Sequence, residues 1–138
     1  MTTLRQRQDQ FISDMEMFDN WADKFNYIIE RDQNPPEKPE ILKEEHRLIN
    51  CKSNTYFRTE LLHSPCGEEL VVRCIGWSNS AVLSGLITII CEIFNGTNQQ
   101  ELRETEINFH TKTELIDNLT PLRQDGINEI IRRINKCT

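Results

Sequence analysis

The sequence is short of positive charge. Sixteen Lys and Arg stand against 22 Asp and Glu, a formal net charge of −6, and a chain with that balance repels a phosphate backbone. Binding to DNA or RNA is therefore not expected. The one cationic cluster, Arg132, Arg133 and Lys136, sits near the end of a helical pattern, where the negative pole of the helix draws cations in any case. A long apolar run is also missing. The most apolar stretch, residues 81–94, is interrupted by Ser84, Gly85, Thr88 and Glu92 and falls well short of the roughly 20 residues a bilayer needs. It reads as a buried core helix, and no membrane association is expected.

Close cysteine pairs are absent as well. Five cysteines are an odd count, and the nearest two, Cys66 and Cys74, have seven residues between them. That spacing suits neither a disulfide framework nor the CxxC pairs of zinc and cluster sites. Residues 1–5 lead into polar sequence with no apolar signal core, so the expectation is a reducing, cytoplasmic setting. No internal repeat, low-complexity segment or nucleophile, base and oxyanion set is visible, which argues against an unaided enzyme. With 138 residues and 37% hydrophobic content, the chain is long enough for one core and too short to argue for two. A single domain over residues 1–138 is expected.

What is present reads as helices around a small sheet. Leu4, Phe11, Ile12, Met15 and Phe18 recur at helical spacing, and Asn20 can cap a second helix carrying Trp21, Phe25, Ile28 and Ile29. Three prolines within residues 34–39 then forbid a helix and predict an ordered bend. Residues 55–62 and 69–77 are rich in β-branched and aromatic side chains, with a hairpin composition between them, and residues 47–49 suggest a third strand. Ser78, Asn79 and Ser80 offer caps for the apolar helix, which Asn95-Gly96 ends. A short helix follows over 97–102, and residues 107–117 are ambiguous. Thr120-Pro121 then opens a last helix, with Ile127, Ile130, Ile131 and Ile134 at i, i+3, i+4 and i+7. The class is α+β, helices packed on an antiparallel sheet of about three strands.

One thiol stands apart from the rest. Cys51 lies between two strand-like stretches, flanked by Asn50, Lys52 and Ser53. A thiol acts as a nucleophile only as thiolate, which a neighbouring ammonium stabilises and a polar turn keeps reachable. The alternative is a small buried hydrophobe, the usual fate of a cysteine among strands. Cys74 and Cys91 read as core, Cys66 as an exposed loop thiol, and Cys137 as frayed. A metal site would need Cys51, Cys66 and His63 to converge. His46 and His110 read as surface residues, Glu44-Glu45 as a solvated face or one that steers a basic partner surface, and Arg123 as a residue that caps a carbonyl or pairs with an acid such as Asp125.

Several of these segments together resemble the SufE family. Residues 34–36 and 44–53 look like its proline bend and active-cysteine loop, usually Gly-Cys-Gln-Ser-Gln-Val-Trp. Gly76-Trp77-Ser78-Asn79-Ser80-Ala81 is similar to its Ser-Asp-Ala stretch, and Leu119-Thr120-Pro121-Leu122-Arg123-Gln124-Asp125-Gly126-Ile127 to its Leu-Ser/Thr-Pro-x-Arg-x-x-Gly-Leu signature. Asn20 to Ile29 resembles its Trp-x-x-Lys-Tyr-x-x-Leu-Ile helix. The four matches keep the family's order. The departures are Asn50 for Gly, Lys52 for Gln, Tyr56 for Trp and Asn79 for Asp. Asn at position 50 still tolerates a positive φ better than most residues.

The resemblance implies a SufE/IscU-like fold and a sulfur carrier with no metal or bound cofactor of its own. Such proteins accept sulfur from a pyridoxal-phosphate, SufS-like cysteine desulfurase, stimulate it, and pass the sulfur towards iron–sulfur scaffold proteins. Carried over residue by residue, Cys51 matches the persulfide acceptor, and Arg123 matches an arginine that shapes the loop or docks the partner. The competing reading is a docking module or regulator that binds a desulfurase or cluster-assembly protein without accepting sulfur.

Overall fold

A computed structural model describes residues 2–49 and 54–138. Asn50, Cys51, Lys52 and Ser53 lie outside the described residues. Helix α1 (Leu4–Glu16) starts where the Thr3 hydroxyl accepts from the Gln6 N–H and the Gln6 side chain answers the Thr3 N–H. That reciprocal box satisfies two of the orphan donors of a helix start. Its inward stripe is Leu4, Gln8, Phe11 and Met15. Gln8 is buried because its amide bridges the chain around Asn108: it donates to the Glu106 carbonyl and accepts from the Asn108 and Phe109 N–H groups. Helix α2 (Trp21–Glu30) follows, with Asn20 capping the Asp23 N–H as the sequence predicts.

The apolar helix α3 (Ala81–Phe94), capped by Ser80, is the centre of the molecule. It packs against the sheet on one side and α1 and α2 on the other, which is why it is apolar nearly all round. Gly85 sets its approach to α2: a Cβ there would lie 2.1 Å from the Ile28 carbonyl oxygen. Only glycine permits that crossing. The helix ends at Asn95 and at Gly96, whose φ of +83° is the left-handed conformation the Asn95-Gly96 pair predicts.

Strands β1 (Thr55–His63) and β2 (Leu70–Ser78) form one antiparallel hairpin in which Thr55 faces Ser78, Phe57 faces Gly76 and His63 faces Leu70. Phe57, Leu61, Val72 and Cys74 belong to the core with α3. The other face carries a second small cluster of Tyr56, Trp77 and Leu42, covered by the proline bend. The Trp77 indole donates to the Pro35 carbonyl at 2.9 Å, and the Lys38 ammonium lies 4.0 Å from the Tyr56 ring centre. Asn34 ties the start of the bend to α3 through the Ser84 hydroxyl, 2.8 Å away.

The third strand expected at 47–49 is corrected to one antiparallel bridge, Arg47 to Tyr56, beside a hydrogen bond from the Leu48 N–H to the Thr55 carbonyl. Pairing stops there because Leu48 turns inward while Ile49 is 92% exposed. Among the described residues the sheet has two strands. The class stands as α+β.

The last third is helical: α4 (Gln99–Glu104), α5 (Phe109–Lys112) and α6 (Pro121–Asn135). Helix α4 begins two residues later than predicted, because Asn98 is its cap and the Thr97 carbonyl is held by the Val72 N–H. Pro121 opens α6 as expected, but the Thr120 hydroxyl makes no capping bond. The isoleucine stripe Ile127, Ile130, Ile131 and Ile134 is buried. Among the described residues no helix is long and apolar enough to cross a membrane.

Candidate functional site

The described segments on either side of residues 50–53 form a tied stem. On its near side a 3₁₀ turn over Glu44–His46 leads to Arg47 and Leu48; on its far side Asn54 enters β1. Across the stem, the Leu48 N–H meets the Thr55 carbonyl at 2.9 Å and the Arg47 guanidinium meets the Asn54 Oδ1 at 3.2 Å. Asn54 is also hooked onto the start of α3. Its N–H donates to Asn79 Oδ1 and its carbonyl accepts from the Asn79 N–H, both at 3.1 Å. Below these, the buried Thr55 and Ser78 hydroxyls share a hydrogen bond of 2.8 Å.

Two departures from the family pattern are explained by this geometry. Position 79 serves as an acceptor for a backbone N–H, and the carboxamide oxygen of Asn fills that role as a carboxylate would. Tyr56 packs against Trp77 and Leu42, with its hydroxyl 3.4 Å from Glu44 Oε2. A smaller aromatic with a polar tip fits where one end of the ring is buried and the other reaches a charged residue.

Sequence reasoning missed Arg133. Its Nη1 donates to the Phe57 carbonyl at 2.6 Å and the His46 carbonyl at 3.0 Å, and its Nη2 donates to the Arg47 carbonyl at 3.3 Å. Its Nε donates to Glu129 at 3.2 Å. One guanidinium from α6 thus holds both sides of the stem. In the sequence it was indistinguishable from a cation attracted to a helix end; the signal available was only its place one residue before the buried Ile134.

Arg123 lies ten residues earlier on α6, about 15 Å of helix at 1.5 Å per residue. It is half-buried, and among the described residues it makes no hydrogen bond or ion pair, with Asp125 or any other group. Cys51, Asn50, Lys52 and Ser53 lie outside the described residues. The structure thus describes the stem around the predicted loop, and Arg123 has no partner among the described residues.

The remaining cysteines occupy different settings. Cys74 and Cys91 line a cavity of about 380 Å³ between β2 and α3, together with Asn34, Glu92 and Asn95. Burial pushes the Cys91 thiol up to about 12, with the Glu92 charge adding to it. Burial, then the neighbouring Cys91, pushes Cys74 higher still. Neither forms thiolate near neutrality. Cys66 is exposed in the hairpin turn. Cys137 is not frayed: it is 6% exposed, because Gln99 holds its carbonyl at 3.1 Å and Arg103 holds that of Thr138 at 2.8 Å.

The histidines also separate. His63 and Cys66 are at the far end of β1 from Thr55, eight residues and about 27 Å of strand away. His46 is half-buried, 3.3 Å from Glu45. His110, expected at the surface, is half-buried against Phe109 with its Nδ1 unpartnered, and burial lowers its pKa. Among the described residues no three His, Cys, Asp or Glu side chains gather to hold a metal ion. A larger surface cavity, about 1200 Å³, lies elsewhere, between α1, α4 and the start of β2, and includes none of the stem residues.

An α+β fold in which a hairpin and a central apolar helix support a cysteine-loop stem defines a class, and comparison with known proteins names it. The family model described as an Fe-S metabolism associated domain, SufE, matches residues 9–138. The chain belongs to the SufE family. It is similar to an uncharacterised SufE-like protein of Rhizobium meliloti, 30% identical over 128 residues that span 91% of this chain and 90% of that protein. A second SufE-like protein, from Rhizobium etli, is 26% identical over 130 residues, 93% of this chain and 86% of that protein.

Proposed function

We propose that this protein is a sulfur acceptor: as one SufE-like domain over residues 1–138, in the cytoplasm, it takes sulfur from a pyridoxal-phosphate cysteine desulfurase onto Cys51. The sulfur then passes towards iron–sulfur cluster assembly. The Cys51 thiolate attacks the outer sulfur of a persulfide on the desulfurase cysteine. The S–S bond there breaks, that cysteine leaves as thiolate, and a new S–S bond leaves Cys51 as the persulfide. No net oxidation occurs, because the sulfane sulfur moves between two thiols.

The observation that carries this reading is the tied stem. Both chain segments that flank Cys51 in sequence are fixed to each other and to α3 and α6 by hydrogen bonds, a supporting shell of the kind a reacting group needs to be held in place. Elsewhere Cys74 is buried and Cys91 half-buried, and burial pushes both thiols well above the range in which a thiolate forms near neutrality. In this reading Arg123, without a partner among the described residues, meets an anionic group of the partner or the loop, and the protein stimulates the desulfurase without being an enzyme by itself.

The test is intact mass under nonreducing conditions after incubation with a cysteine desulfurase and cysteine. The expected result is a reducible gain of about one sulfur atom in the wild type and none in Cys51→Ser. No gain in a wild-type protein that binds the desulfurase would overturn transfer and leave a docking module in its place.

A further inference from the structure

We propose that Arg133 is a positioning residue for sulfur transfer: it fixes the two sides of the stem that flank Cys51 to α6 and so sets how that stem is presented to a partner. The inference rests on the carrier reading but concerns a residue outside the family signature segments. Three backbone carbonyls converge on this one side chain, two before residue 51 (His46 and Arg47) and one after it (Phe57). His46 and Arg47 lie at the bridge to β1, and Phe57 is the third residue of that strand.

Arginine is the residue this task requires. Its planar fork offers five N–H donors in fixed directions, so it can hold carbonyls of two separate segments and still give Nε to Glu129. The carboxylate orients the guanidinium, and Arg132 donates to the other oxygen of that carboxylate. Helix α6 fastens the strand a second time, where the Thr59 hydroxyl donates to the Arg133 carbonyl at 3.4 Å. Side chain and main chain of one residue therefore reach the same strand. With the isoleucine stripe of α6 buried in the core, the stem is referenced to the packed core of the protein.

The experiment compares wild type, Arg133→Gln and Arg133→Lys in the full chain, each with Cys66→Ser, with alkylation read at Cys51 by peptide mass. Ile130→Val and Ile130→Ala serve as core variants that bracket the melting temperature. Two rates are read: persulfide formation at saturating desulfurase, and alkylation by iodoacetamide without any partner. For Arg133→Gln the expected result is transfer reduced about tenfold at saturation with half-saturation unchanged, since misplacing a reacting group costs rate rather than binding. Arg133→Lys, which keeps the charge but not the fork, should fall between.

The alkylation rate should shift severalfold in the Gln variant and stay at the wild-type value in the Ile130 variants. A transfer rate in Arg133→Gln equal to that of an Ile130 variant of the same melting temperature would overturn the positioning role. If the wild type itself gains no sulfur, the carrier reading fails and the alkylation rates alone decide. A severalfold shift then upholds the positioning of the stem, and an unchanged rate overturns it.

Discussion

Strand β1 has a cysteine-bearing connection at each end, and the two ends are built differently. At the Thr55 end, the stem is tied to residues distant in sequence: Asn79 on the approach to α3, and Arg133 on α6. At the His63 end, the turn carrying Cys66 is held by itself, with the Ser64 N–H on the Glu69 carbonyl at 2.8 Å and the Gly67 N–H on the Ser64 carbonyl at 3.3 Å. A hairpin turn needs only its local bonds to reverse the chain. Long-range bonds serve placement instead, and among the described residues they concentrate at the Thr55 end.

The sharpest way to break this comparison is to exchange the thiols' fates. Cys51→Ser should abolish stimulation of a cysteine desulfurase, while Cys66→Ser should leave it within about twofold, as expected for an exposed side chain away from special contacts. Desulfurase turnover with each variant checks this. Equal losses would mean that the exposed turn thiol shares the work and that the tied stem is not a guide to function.

The next largest effect concerns packing beneath each end. A Cβ on Gly76 would lie 2.7 Å from Ile87 Cγ2 and 2.9 Å from Phe57 Cδ1, both buried, whereas a Cβ on Gly67 meets nothing within 4 Å. Overpacking a filled core costs about 1–3 kcal/mol. Gly76→Ala should therefore lower stability by that much in urea denaturation, and Gly67→Ala by less than about 0.5 kcal/mol. A neutral Gly76→Ala would show that Phe57 can give way, and with it the carbonyl that Arg133 holds.

Asn79 sharpens the comparison more finely. Its Oδ1 accepts from Asn54, so Asn79→Asp should keep both stability and transfer, and Asn79→Ala should lose about 0.5–1 kcal/mol, the net worth of an exposed hydrogen bond that water then replaces. Denaturation midpoints of the two variants check this. A loss in Asn79→Asp equal to that in Asn79→Ala would show that the carboxamide N–H₂ matters as well.

How much of this was legible in the sequence follows from which forces are local. The helices were, because a stripe such as Ile127, Ile130, Ile131 and Ile134 records which face is buried, and caps such as Asn20 and Ser80 act within three residues. The hairpin was legible for the same reason. The third strand was misread because Leu48 and Ile49 are equally apolar, yet one is 1% and the other 92% exposed; tertiary contacts decide where pairing stops. Cys137 was misread because its burial depends on Gln99 and Arg103, more than thirty residues away. Cys51 is a candidate from the sequence, as a lone thiol among turn formers and through the family resemblance, and lies outside the described residues; Arg133 was not a candidate. Its partners are backbone carbonyls, which every residue has, so no pattern of residue types announces them.

The smallest effect is electrostatic and separates the two ends by pH. Glu129 is held below the ordinary carboxylate value chiefly by its hydrogen bond from Arg132, with Arg133 adding to it against the upward push of partial burial. A carboxylate depressed in the folded state contributes stability that is complete above its unfolded value of about 4.3 and is lost as pH falls through the lower folded value. Protonation there removes the partner of Arg133 Nε, so it loosens the brace of the stem and leaves the Cys66 turn untouched. Glu129→Gln should therefore show a shallower loss of stability than wild type below about pH 4.3, by a few tenths of a kcal/mol for a partly exposed pair. Denaturation midpoints measured from neutral to acid pH check this. Parallel curves would mean that the guanidinium is oriented by its three carbonyls alone, which would make Arg133 an even more direct link between α6 and the stem.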